Sequence, residues 1–411
     1  MRNFDTRASI KYQIFPTRDP YSYKRDDHYV ADNIEPKCCW GGELCLKMLI
    51  LITLLIPVVF IATRHFYPKI KALNEEKLSV TIQNFRPYQN DQYICVSHHL
   101  DEDQSYYVTK YSTLDPNAAA HHMLLYACEK PVFEHGKIWR CGHVSPAEDK
   151  KRLPIATQCG AGESEVIFAE AMQAGAYELP NNVSFKLGQG TKYKYLTLQI
   201  HYATTNKFDK DPNLTDNSGL QLSLAKEATK FNAHTMLIAN GGGLISKDDD
   251  VTNLDILCKI MAPNEKITMK PFAFRTHAHS LGQVISGYTI STKNKTDWKL
   301  IARKSPQLRQ TFYPILRDDS IENMQEIAVR CSYKNPTGHN VYIGATKADE
   351  MCNLYIMYYT ESGSKMWSRC ANSWDPYYAW HQLDTLFNHS SHLTPKEVTE
   401  VNKHKKNQPT T

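Results

Sequence analysis

Residues 195–205 read YLTLQIHYATT, and the alternation from Leu196 to Tyr202 decides the class of fold. Successive side chains of a β-strand point to opposite faces. Leu196, Leu198, Ile200 and Tyr202 therefore form an apolar face, and Thr197, Gln199 and His201 a polar one. Similar short stretches recur beyond residue 80, separated by turn-rich segments such as DPNLTDNSG (211–219) and IANGGGLISKDDD (238–250). Strands at short intervals with Gly, Asn, Asp and Pro between them predict an all-β sandwich or barrel architecture. No long helical periodicity competes with that reading after residue 80. A break at SLAKEATKFN (223–232) divides this region into two halves, expected as domains 81–226 and 227–378. The segment PKEVTEVNKHKKNQPTT from residue 395 has few apolar groups to bury, and 379–411 is expected to be a disordered tail.

The 411 residues carry a net charge of +5 with no run of five basic residues, too mild a field to indicate nucleic acid as a partner. Residues 48–63 form an uncharged apolar run. That is slightly shorter than the roughly 20 residues of a spanning helix, but Lys47 and Arg64 can snorkel to the interfaces. The polar residues 1–47 before it argue against a cleaved signal peptide and for a cytoplasmic tail, a single transmembrane signal-anchor at 48–63 and a stalk at 64–80. YQIF (Tyr12–Phe15) has the form of a sorting signal, and Cys38, Cys39 and Cys45 are palmitoylation candidates beside membrane lipid. Eight further cysteines suit disulfide pairing in an oxidising compartment. Sequons at Asn182, Asn213, Asn294 and Asn388 lie on the same side. Together these features predict a single-pass type II membrane protein of the secretory pathway with its large domain lumenal.

The chemistry sits in His201 and three further segments. Read as a strand through residue 279, FRTHAHSLG (274–282) places Phe274, with Phe272 before it, toward the core. Arg275, His277 and His279 then share the opposite, open face. Two half-exposed polar histidines are the plain alternative to a metal pair there. In DEMCNLYIMYY (349–359), Cys352, Leu354, Ile356 and Tyr358 face one way and Met351, Asn353, Tyr355 and Met357 the other. A thioether joined to His277 and His279 would suit copper, because soft sulfur stabilises Cu(I) and serves zinc or iron poorly. AAHHMLLYAC supplies adjacent His121 and His122, which can share a metal only at a strand end or bend, with His201 as a third imidazole. His98 and His99 read as surface residues.

Taken in order and at their separations, HHMLLYAC, LQIHY, FRTHAHSLGQVISGY and DEMCNLYIMYY resemble the copper type II, ascorbate-dependent monooxygenases, and within them the peptide-hydroxylating branch. The resemblance runs from about Tyr93 to Cys370. It implies two jelly-roll β-sandwich domains facing across a cleft, one copper on each. By the same resemblance His121, His122 and His201 hold the electron-transfer copper, and His277, His279 and Met351 the copper that binds dioxygen. Gln199 is then a neighbour of a ligand histidine, and Arg275, Asn353 and Tyr355 hold the substrate's carboxylate and backbone. The implied disulfides are Cys95–Cys141, Cys128–Cys159, Cys258–Cys370 and Cys331–Cys352. A further bond of the family is absent, because the turn that would carry it reads TDNSG.

The expected activity is hydroxylation of the α-carbon of a C-terminal glycine on glycine-extended peptides, using two copper ions, ascorbate as reductant and dioxygen. No lyase sequence is recognised after Cys370, so cleavage of the product is expected of a separate lyase. A phenethylamine hydroxylase of the same family, or a copper-binding protein without turnover, are the alternatives. Arg275 favours an acidic substrate over an amine.

Overall fold

The computed structural model describes residues 76–114, 120, 122–142, 153–171, 176–263, 266–344, 348–361, 363–371 and 391–406. The tail, the apolar run 48–63, the stalk to residue 75, His121 and Asn388 lie outside them. Among the described residues no helix is long and apolar enough to cross a membrane.

Alternating apolar and polar residues build ten strands in the first half. These are β1 (Glu76–Thr81), β2 (Gln92–His99), β3 (Ser105–Leu114), β4 (His122–Cys128), β5 (Ile138–Arg140), β6 (Ser164–Ala171), β7 (Tyr177–Glu178), β8 (Val183–Gly188), β9 (Tyr195–Tyr202) and β10 (Gly219–Ala225). The second half adds β11 (Phe231–Ala239), β12 (Leu244–Ile245), β13 (Thr252–Met261), β14 (Lys270–His277), β15 (Gly282–Ile290), β16 (Trp298–Lys304), β17 (Tyr313–Pro314), β18 (Glu326–Tyr333), β19 (Val341–Tyr342), β20 (Asn353–Thr360) and β21 (Trp367–Ala371).

Sheet order β1-β10-β3-β8 and sheet order β5-β2-β9-β4-β6 enclose one core. In the other half, β11-β20-β14-β17 and β16-β15-β18-β13-β21 enclose a second. Neighbours within each sheet are antiparallel, but β8 pairs parallel with β11 through Val183 with Phe231 and Ser184 with Asn232. That short parallel pairing fuses one sheet of each half into a continuous surface. The mostly-β expectation is met.

On β9 the apolar face enters the first core, yet Thr197, Gln199 and His201 of the polar face are buried too. The disulfides Cys95–Cys141 and Cys128–Cys159 pin the intervening loop, with Trp139, over this sheet. Cys331–Cys352 ties β18 to the residue before β20. Cys258 is also disulfide-bonded, and its register partner on β21 is Cys370.

Two expectations are corrected. The tail is not wholly disordered, since Pro395–Lys406 is a helix, α2, following the short α1 (Asn206–Lys210). Thr394 and Glu397 form a reciprocal capping box, with Thr394 N–H donating to Glu397 Oε2 at 2.8 Å. Arg303 and Lys304 of β16 then bind Glu397 and Glu400 at 2.8 and 2.7 Å, and Val401 is buried. Phe272 does not share a face with Phe274. A β-bulge between Pro271 and Ala273 makes Phe272 the extra residue, and it packs near Tyr359 at 6.3 Å against the first core while Phe274 enters the second.

Candidate metal centres

His201, in the middle of a five-stranded sheet, stands in register with Tyr93 of β2 and His122 of β4. The row brings the His122 and His201 Nδ1 atoms to 3.3 Å. Two imidazoles bound at about 2.0–2.1 Å to one metal ion at a near-tetrahedral angle are separated by roughly this distance. His201 Nε2–H donates to Asp91 Oδ1 at 2.7 Å, which fixes the ring and turns Nδ1 toward His122. The Tyr93 ring stacks on His201 at 4.1 Å. Burial, with Asp91 second, pushes the Tyr93 phenol above its usual range. Gln199, one pleat along, places its Nε2 3.6 Å from Cys141 Sγ. His98 is half-buried and His99 exposed, in a separate group with His135.

The second centre forms where β14 ends. The strand stops at His277 rather than continuing to residue 279, so the HxH pair is held by two different means. His277 faces Asn353 of β20 in register. Its Nδ1 hydrogen-bonds Gln310 Oε1. Because Gln310 Nε2 donates to the carbonyls of Ala278 and Pro306, both at 3.0 Å, its oxygen must accept, and His277 carries the proton on Nδ1. His279 Nδ1–H donates to the Asp349 carbonyl at 2.8 Å. Both rings consequently offer Nε2 as the lone-pair donor. Burial first, then the charge of Arg275, holds the His277 pKa down to about 3, so the ring is neutral at physiological pH; His201 adds to the same effect.

Glu350 attaches the methionine to this pair. Its carboxylate, 1% exposed, accepts from the N–H groups of His279 at 2.7 Å, Leu281 at 2.6 Å and Met351 at 3.3 Å. Met351 Sδ lies 3.6 Å from Asn353 Nδ2. Among the described residues no three His, Cys, Asp or Glu side chains converge. Each centre shows two imidazoles among the described residues, with a thioether beside one; His121, which precedes His122 in the sequence, lies outside them. The donor chemistry suits copper, since neutral imidazoles and a soft thioether stabilise its reduced state.

Arg275 is buried, 2% exposed, rather than on an open face. Its Nε donates to the Gln310 carbonyl at 2.7 Å, and its Cζ lies 5.1 Å from the centre of the Tyr355 ring. Nη1 has no hydrogen-bond partner. Burial lowers the Arg275 pKa, with Tyr355 and Tyr126 opposing. The guanidinium thus presents an unmatched buried donor next to the His277 ring. Gln310, Glu350 and Asp91 escaped sequence reading, because single polar residues in loops carry no spacing signal.

Residues 78–209 match the family profile described as copper type II ascorbate-dependent monooxygenase, N-terminal domain, and residues 231–383 its C-terminal domain. The chain is 32% identical over 302 residues to peptidyl-glycine alpha-amidating monooxygenase B of Xenopus laevis, covering 73% of this chain and 32% of that protein. Against peptidyl-glycine alpha-amidating monooxygenase of Mus musculus it is 33% identical over 289 residues, 69% of this chain and 27% of that one. Tyramine beta-hydroxylase of Caenorhabditis briggsae is 24% identical over 295 residues, 66% of this chain and 46% of that protein. The chain thus spans about a third of the length of the amidating monooxygenases it matches. With its two histidine centres on successive sandwiches, the chain belongs to the copper type II ascorbate-dependent monooxygenase family, whose chemistry uses copper, ascorbate and dioxygen.

Proposed function

We propose that this chain is a peptidylglycine alpha-hydroxylating monooxygenase acting on glycine-extended peptides. The observation that carries the reading is the buried Arg275, whose Nη1 lacks a partner beside His277 and Tyr355. An unpaired buried cationic donor is costly, and a peptide's terminal carboxylate would satisfy it with charge-assisted hydrogen bonds. An amine would not. Asn353 and Tyr355, on the same face of β20, orient the substrate backbone. Gln310 fixes Arg275 and His277 relative to one another, so the anchor and the metal ligands move together.

His277 and His279 through Nε2, with Met351 through Sδ, would hold one copper, and His121, His122 and His201 the other across the cleft of two jelly-roll sandwiches. When bound, copper with ascorbate and dioxygen supplies the oxidation that places one oxygen atom on the glycine α-carbon. Burial of Arg275 keeps bulk water from the anchor.

Sequence supports a wider setting. The apolar run 48–63 would anchor the chain in a membrane, with residues 64–411 in the secretory lumen. Asn182, Asn213 and Asn294 are exposed and available for glycosylation; alkaline extraction of membranes and glycosidase shifts test both points. For the activity, the protein is incubated with copper, ascorbate and a glycine-extended peptide. Mass spectrometry should show one added oxygen on the terminal glycine, and an unmodified peptide would sink the proposal.

A further inference from the structure

A cavity of about 440 Å³ lies between the two halves, with Tyr126 and Val166 of the first and Leu237, Tyr355 and Trp367 of the second among its walls. Its size falls within the roughly 300–1,000 Å³ of pockets that hold organic groups. Two large apolar side chains stand uncovered at it, Trp367 at 59% and Leu237 at 45% exposure. Exposed apolar surface beside a concavity marks a place where something apolar docks.

The charged part of the lining, Glu165 with Lys365, is already matched. Glu165 accepts from Tyr193 Oη at 2.7 Å and from the Thr235 N–H, and lies 3.3 Å from Lys365 Nζ. No unpaired carboxylate is left to attract a cation, so the surface available to a ligand is chiefly aromatic and aliphatic. The cavity also adjoins the Arg275 anchor through Tyr355. Arg275, Tyr355 and Leu237 form one register row across β14, β20 and β11, with Tyr355 a wall of the cavity and the Arg275 guanidinium over its ring. Two strand spacings of about 4.8 Å separate the ends of the row, a distance covered by about three residues of extended peptide, the glycine included, at roughly 3.3–3.6 Å each.

We propose that this cavity is a specificity subsite that receives an apolar or aromatic side chain carried two or three residues before the C-terminal glycine of the substrate. This rests on the reading of Arg275 as the carboxylate anchor. The residues facing it supply contact area and a charge-matched floor at Glu165 and Lys365, and none takes part in the oxidation.

The test uses acetylated tetrapeptides ending in glycine, with phenylalanine or alanine at each preceding position in turn. At the second or third position back, the parent protein should favour phenylalanine by about tenfold in kcat/KM, the scale of burying one large apolar side chain. Trp367→Ser and Leu237→Ser, on different strands, should each bring that ratio to within about twofold of one. The ratio is internal to each variant, so a partly unfolded preparation does not distort it. A parent with no positional preference overturns the subsite while leaving the function intact, as do variants that keep the preference. If no glycine-extended peptide is hydroxylated, the reading of function falls and the subsite with it.

Discussion

Met351 is a half-buried residue whose thioether faces Asn353 and whose neighbours are held by Glu350. Met351→Ile keeps volume and loses the soft donor. We expect turnover to fall by on the order of 100-fold or more, the upper range even of losses beyond the direct ligands, with a thermal melting curve close to the parent's. Full turnover would exclude Met351 as a ligand. Arg275→Ala removes the cation that the substrate would pair. Truncating one member of a buried charged pair costs about 2–5 kcal/mol, so KM for a glycine-extended peptide should rise by roughly 30-fold or more; an unchanged KM would remove Arg275 from that role.

At the scale of elements, the site depends on how the end of β14 meets the loop before β20. Gly282 is part of that fit, since a Cβ there would stand 2.6 Å from Ala278 Cβ and 2.9 Å from Pro306 Cγ. Gln310 also binds the carbonyls of both those residues. Gly282→Ala should therefore cost about 1–3 kcal/mol of stability and weaken copper binding at the His277 centre. Equilibrium unfolding and copper titration measure the two effects, and unchanged affinity would show that the turn does not set the ligands. Sequence reading placed β20 in the right phase, because Cys352, Leu354, Ile356 and Tyr358 all enter the core. It misjudged β14 because a bulge at Phe272 interrupts the period of two, and alternation alone does not reveal an inserted residue. The tail helix was missed for a related reason. Its stability comes from the Thr394–Glu397 cap and ion pairs to β16, not from an apolar stripe.

For the whole molecule, Glu165 joins the halves. It is 5% exposed and bonded from Tyr193 in one half and from Thr235 and Lys365 in the other. Burial alone would raise its pKa, but His234, Lys365 and the Thr235 N–H outweigh burial and pull it down to about 2. A carboxyl lowered on folding stabilises the protein above its unfolded pKa, near 4.5, and that contribution is lost as pH falls toward 2. The linkage amounts to roughly 3 kcal/mol at neutral pH. Glu165→Gln should be less stable than the parent at pH 7, with the gap closing between about pH 4.5 and 2. Denaturant unfolding across that range checks it, and a gap independent of pH would remove Glu165 as the titrating group.

The sequence by itself determined the β class, the order of the histidine and methionine segments, and the cysteine partners seen in the described disulfides. These follow from local periodicity and from the resemblance of ordered motifs. Only the tertiary structure decided that the polar face of β9 is buried beneath a disulfide-pinned loop, and that His279 is set by Glu350 and Asp349 rather than by a strand. It also showed Arg275 buried with an unmatched donor. Each of these depends on which distant segment covers a surface, information that no local pattern of side chains contains.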